Sequence, residues 1–238
     1  MTIPKPKLTA VIKKKIKADW QAQIPSLAPD PKGFFISKLV GPLNIRVSFH
    51  TTSTNEGYEP EFCVQNLCDW EGFLYKTMSH DLQKSRINLA REKVITRVYI
   101  TVRAHEKSDY IEAARLIKEQ ALLPLEGPVS ISMIADAYQK YAQRPGTSFQ
   151  MALIQDPALI AAWGKRDDLA KKYLDWGYET YKNWMANRRN PDIDDNPDEW
   201  LKTMQERIAD PETLRRNVKE MIARHKLDYL QQEELILE

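Results

Sequence analysis

The chain has 238 residues, an apolar fraction of 42% and a net charge of +2, so it is long enough for one large domain or two small ones. It contains no apolar run of about 18 residues, which excludes a typical transmembrane helix. Its basic amino terminus lacks the apolar segment of a secretory signal. We therefore expect a cytoplasmic protein that makes no membrane contact.

The charge is unevenly distributed along the chain. Residues 151–238 hold 14 Lys or Arg against 18 Asp or Glu, whereas residues 1–150 hold 21 against 15. The basic excess is concentrated near the amino terminus, at Lys5, Lys7 and Lys17 and at the candidate phosphate contacts Lys13, Lys14 and Lys15. Such a segment suits a polyanion, because each lysine that neutralises a phosphate releases counterions. A solvated terminal segment would have the same composition, so both interpretations stay open.

The first 93 residues predict an arm, a hairpin and a helix. The prolines of residues 1–32 predict a basic arm with one short helix at 9–22. Residues 34–52 alternate apolar and polar side chains around a turn at Gly41, which predicts a hairpin. Residues 65–92 carry apolar side chains at spacings of three and four, which predict a helix.

A strand followed by two helices is predicted at residues 94–143. The strand 94–103 alternates, with Val98, Ile100 and Val102 on one face. Its other face carries four polar side chains, Arg97, Tyr99, Thr101 and Arg103. A helix at 109–122 follows, and a turn at Gly127 leads to a second helix that ends near residue 143.

An isolated strand needs a partner for its edge. One solution is the identical strand of a second chain, which gives a two-stranded ribbon that fits the major groove of DNA. Arg97, Tyr99 and Thr101, with Arg103, would then read base edges. Ser130 and Ser132 open the second predicted helix, where free amides and the helix dipole can hold a phosphate.

In these features the stretch resembles the ribbon-helix-helix transcription regulators, which include the Met and Arc repressors. The resemblance covers about 50 residues and implies an obligate homodimer that binds double-stranded DNA. The turn before Gly127 is longer than in that family. More loosely, the whole chain is similar to ribbon-helix-helix activators of the conjugative-transfer genes of IncC plasmids, which implies transcription activation.

Two other interpretations of the sequence remain. The strand 94–103 could belong to a sheet within the chain, which would make the protein a structural or adaptor protein. A metal-dependent nuclease would need a carboxylate cluster. The candidates for it are Asp192, Asp194, Asp195, Asp198 and Glu199, with Lys202. These acidic residues also complement the dipole of a helix that opens at Pro197.

The sequence thus predicts an α+β, mostly α fold, with a ribbon-helix-helix dimer unit inside a larger helical protein. It predicts a basic arm at 1–32, a DNA-binding region at 33–150 and a helical region at 151–238. The helical region would contact a co-regulator, RNA polymerase or a second copy of the same chain. The function predicted is a sequence-specific transcription regulator and not an enzyme. We expect no cofactor and no metal, because Cys63, Cys68 and the four histidines match no ligand spacing.

Overall fold

The computed structural model describes residues 6–68, 76–87, 91–144, 151–187 and 196–238. They fall into two compact units. Unit 1 comprises Met1–Leu39, Ile45–Val64 and Ser79–Gly127, and unit 2 comprises Val40–Asn44, Gln65–Met78 and Pro128–Glu238. The domain boundaries predicted at residues 32 and 150 stay a prediction.

The strands and helices of the described residues are as follows. The strands are β1 (Ala28–Pro29), β2 (Phe35–Val40), β3 (Leu43–Thr51), β4 (Gly57–Asn66), β5 (Met78–Asp81), β6 (Gln83–Ile87), β7 (Lys93–Arg97), β8 (Ile100–Thr101), β9 (Val129–Ser130), β10 (Gln232–Glu233) and β11 (Leu235–Ile236). The helices are α1 (Ala10–Gln23), α2 (Val102–Glu106), α3 (Asp109–Gln120), α4 (Ile131–Ala142), α5 (Met151–Trp163), α6 (Asp167–Ala186), α7 (Pro197–Ile208) and α8 (Pro211–Arg224). No helix among these is long and apolar enough to cross a membrane.

The main sheet is a curled antiparallel sheet of five strands in the order β1-β2-β3-β4-β5. Its β2–β3 hairpin confirms the strand pair predicted at residues 34–52. The turn contains Gly41 at a φ of +52°, a conformation that suits glycine. Beside β4 lies β8, antiparallel, with Tyr58 opposite Ile100.

Helix α1 belongs to the core of unit 1 and is not a solvated terminus. It begins after Thr9, whose hydroxyl oxygen accepts a hydrogen bond from the N–H of Ile12 at 3.3 Å. Ile16 and Trp20, one turn apart, are completely buried. The short helix predicted at 9–22 is therefore confirmed.

The predicted ribbon-helix-helix dimer unit in a mostly helical protein is wrong. The described residues instead form a curled antiparallel sheet with the strand path β1-β2-β3-β4-β5, two separate two-stranded sheets and eight helices. Residues 94–103 form no single strand, because β7 ends at Arg97, β8 covers only Ile100–Thr101 and α2 begins at Val102. The edge of β7 is satisfied within the chain, where it pairs with β6. No second chain is needed to complete the ribbon.

The helix predicted at residues 65–92 is also wrong. The described parts of this range hold the end of β4, then β5 and β6, while residues 69–75 and 88–90 lie outside the described residues. Met78 and Leu82 are both buried. Their separation of four fits the two-residue period of a strand as well as a helical turn. The misassigned helix concealed β6, the partner that β7 uses.

Unit 2 is mostly helical. Helix α5 is buried on all sides from Leu153 to Ala162, with the exception of Gln155, and it packs against α4 and α6. Pro157 lies inside α5. Gly177 permits the close approach of α6, because a Cβ there would lie 2.5 Å from the carbonyl oxygen of Ile154.

Candidate nucleic-acid interface

The β6–β7 pair is a two-stranded antiparallel ribbon in unit 1. Ser85 lies opposite Ile95, and Ile87 lies opposite Lys93. Residues that lie directly opposite each other share a face, so one face carries Gln83, Ser85, Ile87, Lys93, Ile95 and Arg97. The side chains of Ile87 and Ile95 are 65% and 69% exposed. The ribbon that the sequence assigned to two chains is thus formed by one.

The four predicted base-reading residues do not share one face of this ribbon. Arg97 is the last residue of β7, and its Nε lies 2.9 Å from a carboxylate oxygen of Asp81. Tyr99 lies in the short link between β7 and β8 and is 40% exposed. Thr101 caps α2 by accepting a hydrogen bond from a backbone N–H at 3.1 Å, and Arg103 lies within α2. Their base-reading roles stay predictions.

The predicted phosphate anchor at the start of α4 is occupied by the chain itself. Ser130 caps the helix by accepting a hydrogen bond from the N–H of Met133 at 3.2 Å. The backbone N–H and the hydroxyl of Ser132 both donate to the carbonyl oxygen of Glu238, at 3.1 and 2.6 Å. Strand β11 runs parallel to β9 at this point. A phosphate would have to displace these carboxyl-terminal residues.

A groove of about 780 Å³ lies between α1 and the loop that precedes β2. Four lysines contribute to its lining: Lys13, Lys14, Lys17 and Lys32. Lys13 places its ammonium 5.3 Å from the ring centroid of Phe34. We call this feature the lysine groove. Lys15, the other lysine that the sequence singled out, does not line it and forms an ion pair with Asp19 at 2.5 Å.

The acidic side chain in the lysine groove is engaged by the backbone. Asp30 accepts hydrogen bonds from the N–H groups of Lys32, at 2.9 Å, and of Gly33. Lys17 is buried, and its ammonium donates to the carbonyl oxygens of Asp30 and Gly33. Burial lowers the pKa of Lys17. The groove therefore presents a net positive lining with one lysine already fixed in place.

A buried hydrogen-bond network holds α1 in position. Trp20 donates from Nε1 to the Tyr58 hydroxyl at 2.9 Å, and that hydroxyl lies 2.8 Å from Nδ1 of His105. The other ring nitrogen of His105 lies 2.9 Å from Asp19. All partners are satisfied when neutral His105 carries its proton on Nε2 and accepts from Tyr58.

Asp19, His105 and Tyr58 are linked in the order of a catalytic triad, but the groups that would react are not exposed to a substrate. Tyr58 is completely buried and His105 is 3% exposed. Burial raises the pKa of the Tyr58 hydroxyl, which makes it a poorer nucleophile. The arrangement therefore fixes the helix that carries the lysines to β4 and α2.

The carboxylates proposed for a nuclease form no metal site in the described part of the chain. Among the described residues, no group of three or more His, Cys, Asp or Glu could hold a metal ion. Asp192, Asp194 and Asp195 lie outside those residues. Asp198, in the first turn of α7, accepts a hydrogen bond from the Tyr178 hydroxyl.

Lys32 is the groove lysine that the sequence did not single out, whereas Lys17 belongs to the basic amino-terminal segment. The signal for Lys32 is the Asp30-x-x-Gly33 turn, which places it beside α1. No local signal predicts that Lys17 is buried, because its partners are backbone carbonyls 13 and 16 residues away.

No protein-family model, curated protein or solved structure matches this chain.

Proposed function

We propose that the protein binds double-stranded DNA through unit 1, with the lysine groove as the surface that holds the phosphate backbone. The observation that carries the proposal is the lining of this groove by four lysines, against one aspartate that is held by backbone N–H groups. Phosphate contacts by lysine supply most of the sequence-independent affinity for DNA.

The groove lysines differ in what they can contribute. Lys14 and Lys32 are exposed and Lys13 is half-buried, so these three can reach a phosphate without breaking a buried contact. Lys17 already donates to two carbonyl oxygens, and its charge adds to the field of the groove. We therefore assign three phosphate contacts to the groove.

Three contacts predict a definite salt dependence. Each neutralised phosphate contributes about −0.9 to the slope of log K against log salt. Three contribute about −2.7, which corresponds to a loss of about 40-fold in affinity between about 50 and 200 mM salt.

The test is fluorescence anisotropy with a short random-sequence duplex over this salt range. The variant Lys13→Ala/Lys14→Ala/Lys32→Ala should bind more weakly, and its slope should be less steep by about 2.7. A charge-matched control in unit 2, Lys171→Ala/Lys182→Ala/Lys219→Ala, should keep the wild-type slope. A groove variant with wild-type affinity and slope would contradict the proposal.

The sequence also predicts a homodimeric transcription regulator that activates conjugative-transfer genes and contacts RNA polymerase or a co-regulator. Those statements stay predictions. The DNA-binding proposal requires neither a dimer nor a particular regulatory outcome, and it rests on unit 1 alone.

A further inference from the structure

We infer that the β6–β7 ribbon enters the major groove of the bound duplex and that Ile87 and Ile95 contact thymine methyl groups there. This inference rests on the proposed function, because it assumes that the protein binds DNA. It adds a second element of unit 1 that makes base contacts, distinct from the phosphate contacts of the lysine groove.

The size of the ribbon fits the major groove. Two paired strands are about 4.8 Å apart, and with their side chains they fit the major groove, which is about 12 Å wide, but not the minor groove of about 6 Å. The five paired positions of each strand extend over about 17 Å. That length matches about five base pairs at about 3.4 Å each.

The ribbon carries an excess of basic residues. The described ribbon residues, 83–87 and 91–97, include five basic residues in the sequence and one acidic residue, Glu92. Lys93 lies on the same face as the two isoleucines, and Lys84 lies opposite Thr96 on the other face. Both lysines are exposed. Arg97 is paired with Asp81, and Glu112 lines a pocket with Ser85 and Ile95. The positive charge that the ribbon offers to a polyanion therefore comes from the exposed Lys93 on the isoleucine face and Lys84 on the other.

The exposed apolar side chains of the ribbon lie next to each other on one face. Because Ile87 faces Lys93 and Ile95 faces Ser85, the two isoleucines are diagonal neighbours on one face. Both are more than half exposed. The thymine C5-methyl group is the apolar feature of the major groove, and apolar side chains contact it. An apolar diagonal flanked by lysines suits that groove.

The test compares duplexes of alternating A·T and A·U pairs, since uracil lacks only the C5-methyl group. One buried methyl contact contributes about fourfold in affinity. Wild type should therefore bind the thymine duplex about 4- to 16-fold more tightly than the uracil duplex at equal salt. For Ile87→Ser/Ile95→Ser the ratio should fall to about one.

Two further variants check that the ribbon is intact. Ile87→Val/Ile95→Val keeps the branched methyl groups and the strand preference, so it should retain most of the thymine preference. Ile111→Ala removes an exposed isoleucine from α3 and should keep the wild-type ratio. Both results would support the assignment of the thymine methyl contacts to the β6–β7 ribbon.

Several outcomes would overturn the inference. Equal binding of the two duplexes by wild type excludes methyl contacts, and a full thymine preference in the serine variant excludes these isoleucines. A serine variant that changes the sedimentation of the protein but not its thymine preference would assign the ribbon to self-association. Failure of the proposed function gives a different result, in which wild type binds neither duplex at low salt.

Discussion

Tyr58→Phe tests the buried network that holds α1, because it removes one oxygen atom and keeps the ring. The Tyr58 hydroxyl accepts from Trp20 at 2.9 Å and pairs with His105 at 2.8 Å. Both partners are almost fully buried. The variant would leave two buried polar nitrogens without this partner. Each such loss costs about 1–3 kcal/mol, so we expect the free energy of unfolding to fall by about 2–6 kcal/mol.

The measurement is urea denaturation followed by circular dichroism at neutral pH. The ring contacts of Tyr58 with Phe34 and Phe49, at centroid distances of 5.9 and 5.4 Å, are retained in the variant, so the change reports the hydrogen bonds. Tyr99→Phe, at an exposed position, is the control and should change stability by less than about 0.5 kcal/mol. A loss below about 1 kcal/mol in Tyr58→Phe would refute the network as an ordering element.

Three other predictions concern pH and unit 2. Burial, only partly opposed by Asp19, lowers the pKa of His105 from its ordinary 6.5. The contribution of neutral His105 to the free energy of unfolding is therefore complete above pH 6.5 and is lost as the pH falls through the lowered pKa. Stability should therefore fall less steeply below pH 6.5 in His105→Gln than in wild type, and equal slopes in urea titrations would contradict this. Gly177→Ala should lower the free energy of unfolding by about 1–3 kcal/mol despite the better helix preference of alanine, because the added Cβ would crowd the Ile154 carbonyl. A thermal melt that shows stabilisation would be incompatible with this packing. Leu235→Ala should loosen β11 and speed the hydrogen exchange of the Ser132 amide, as measured by NMR. An unchanged exchange rate would mean that β11 does not protect that amide.

Local signals in the sequence were sufficient where an element is specified by neighbouring residues. The turn at Gly41 sets the β2–β3 hairpin, and Ser130 caps α4 as expected. Pro197 and Pro211 stand in the first turns of α7 and α8, where their missing N–H has no cost. Each of these features is decided within a few residues.

Pairing between distant segments could not be predicted in the same way. The alternation at residues 94–103 correctly indicates extended chain at β7, but the choice of β6 as its partner depends on residues about ten positions away. The apolar spacing of residues 65–92 then favoured a helix, which left β7 without a partner in its own chain. A second chain was predicted for that reason.

The candidate site was predicted only in part for a related reason. Lys13 and Lys14 follow from composition, since the amino-terminal segment is rich in lysine. The groove exists because the loop at Asp30–Phe34 folds against α1 and fixes Lys17. That contact joins residues more than ten positions apart, and no periodicity in the sequence reports it.

The salt dependence of duplex binding tests the central claim most directly. Wild type and the unit 2 lysine control should share one slope of log K against log salt. The Lys13→Ala/Lys14→Ala/Lys32→Ala variant should be less steep by about 2.7, or about 0.9 for each lost phosphate contact. Identical slopes and affinities for all three proteins would contradict the assignment of the lysine groove as the DNA-binding surface.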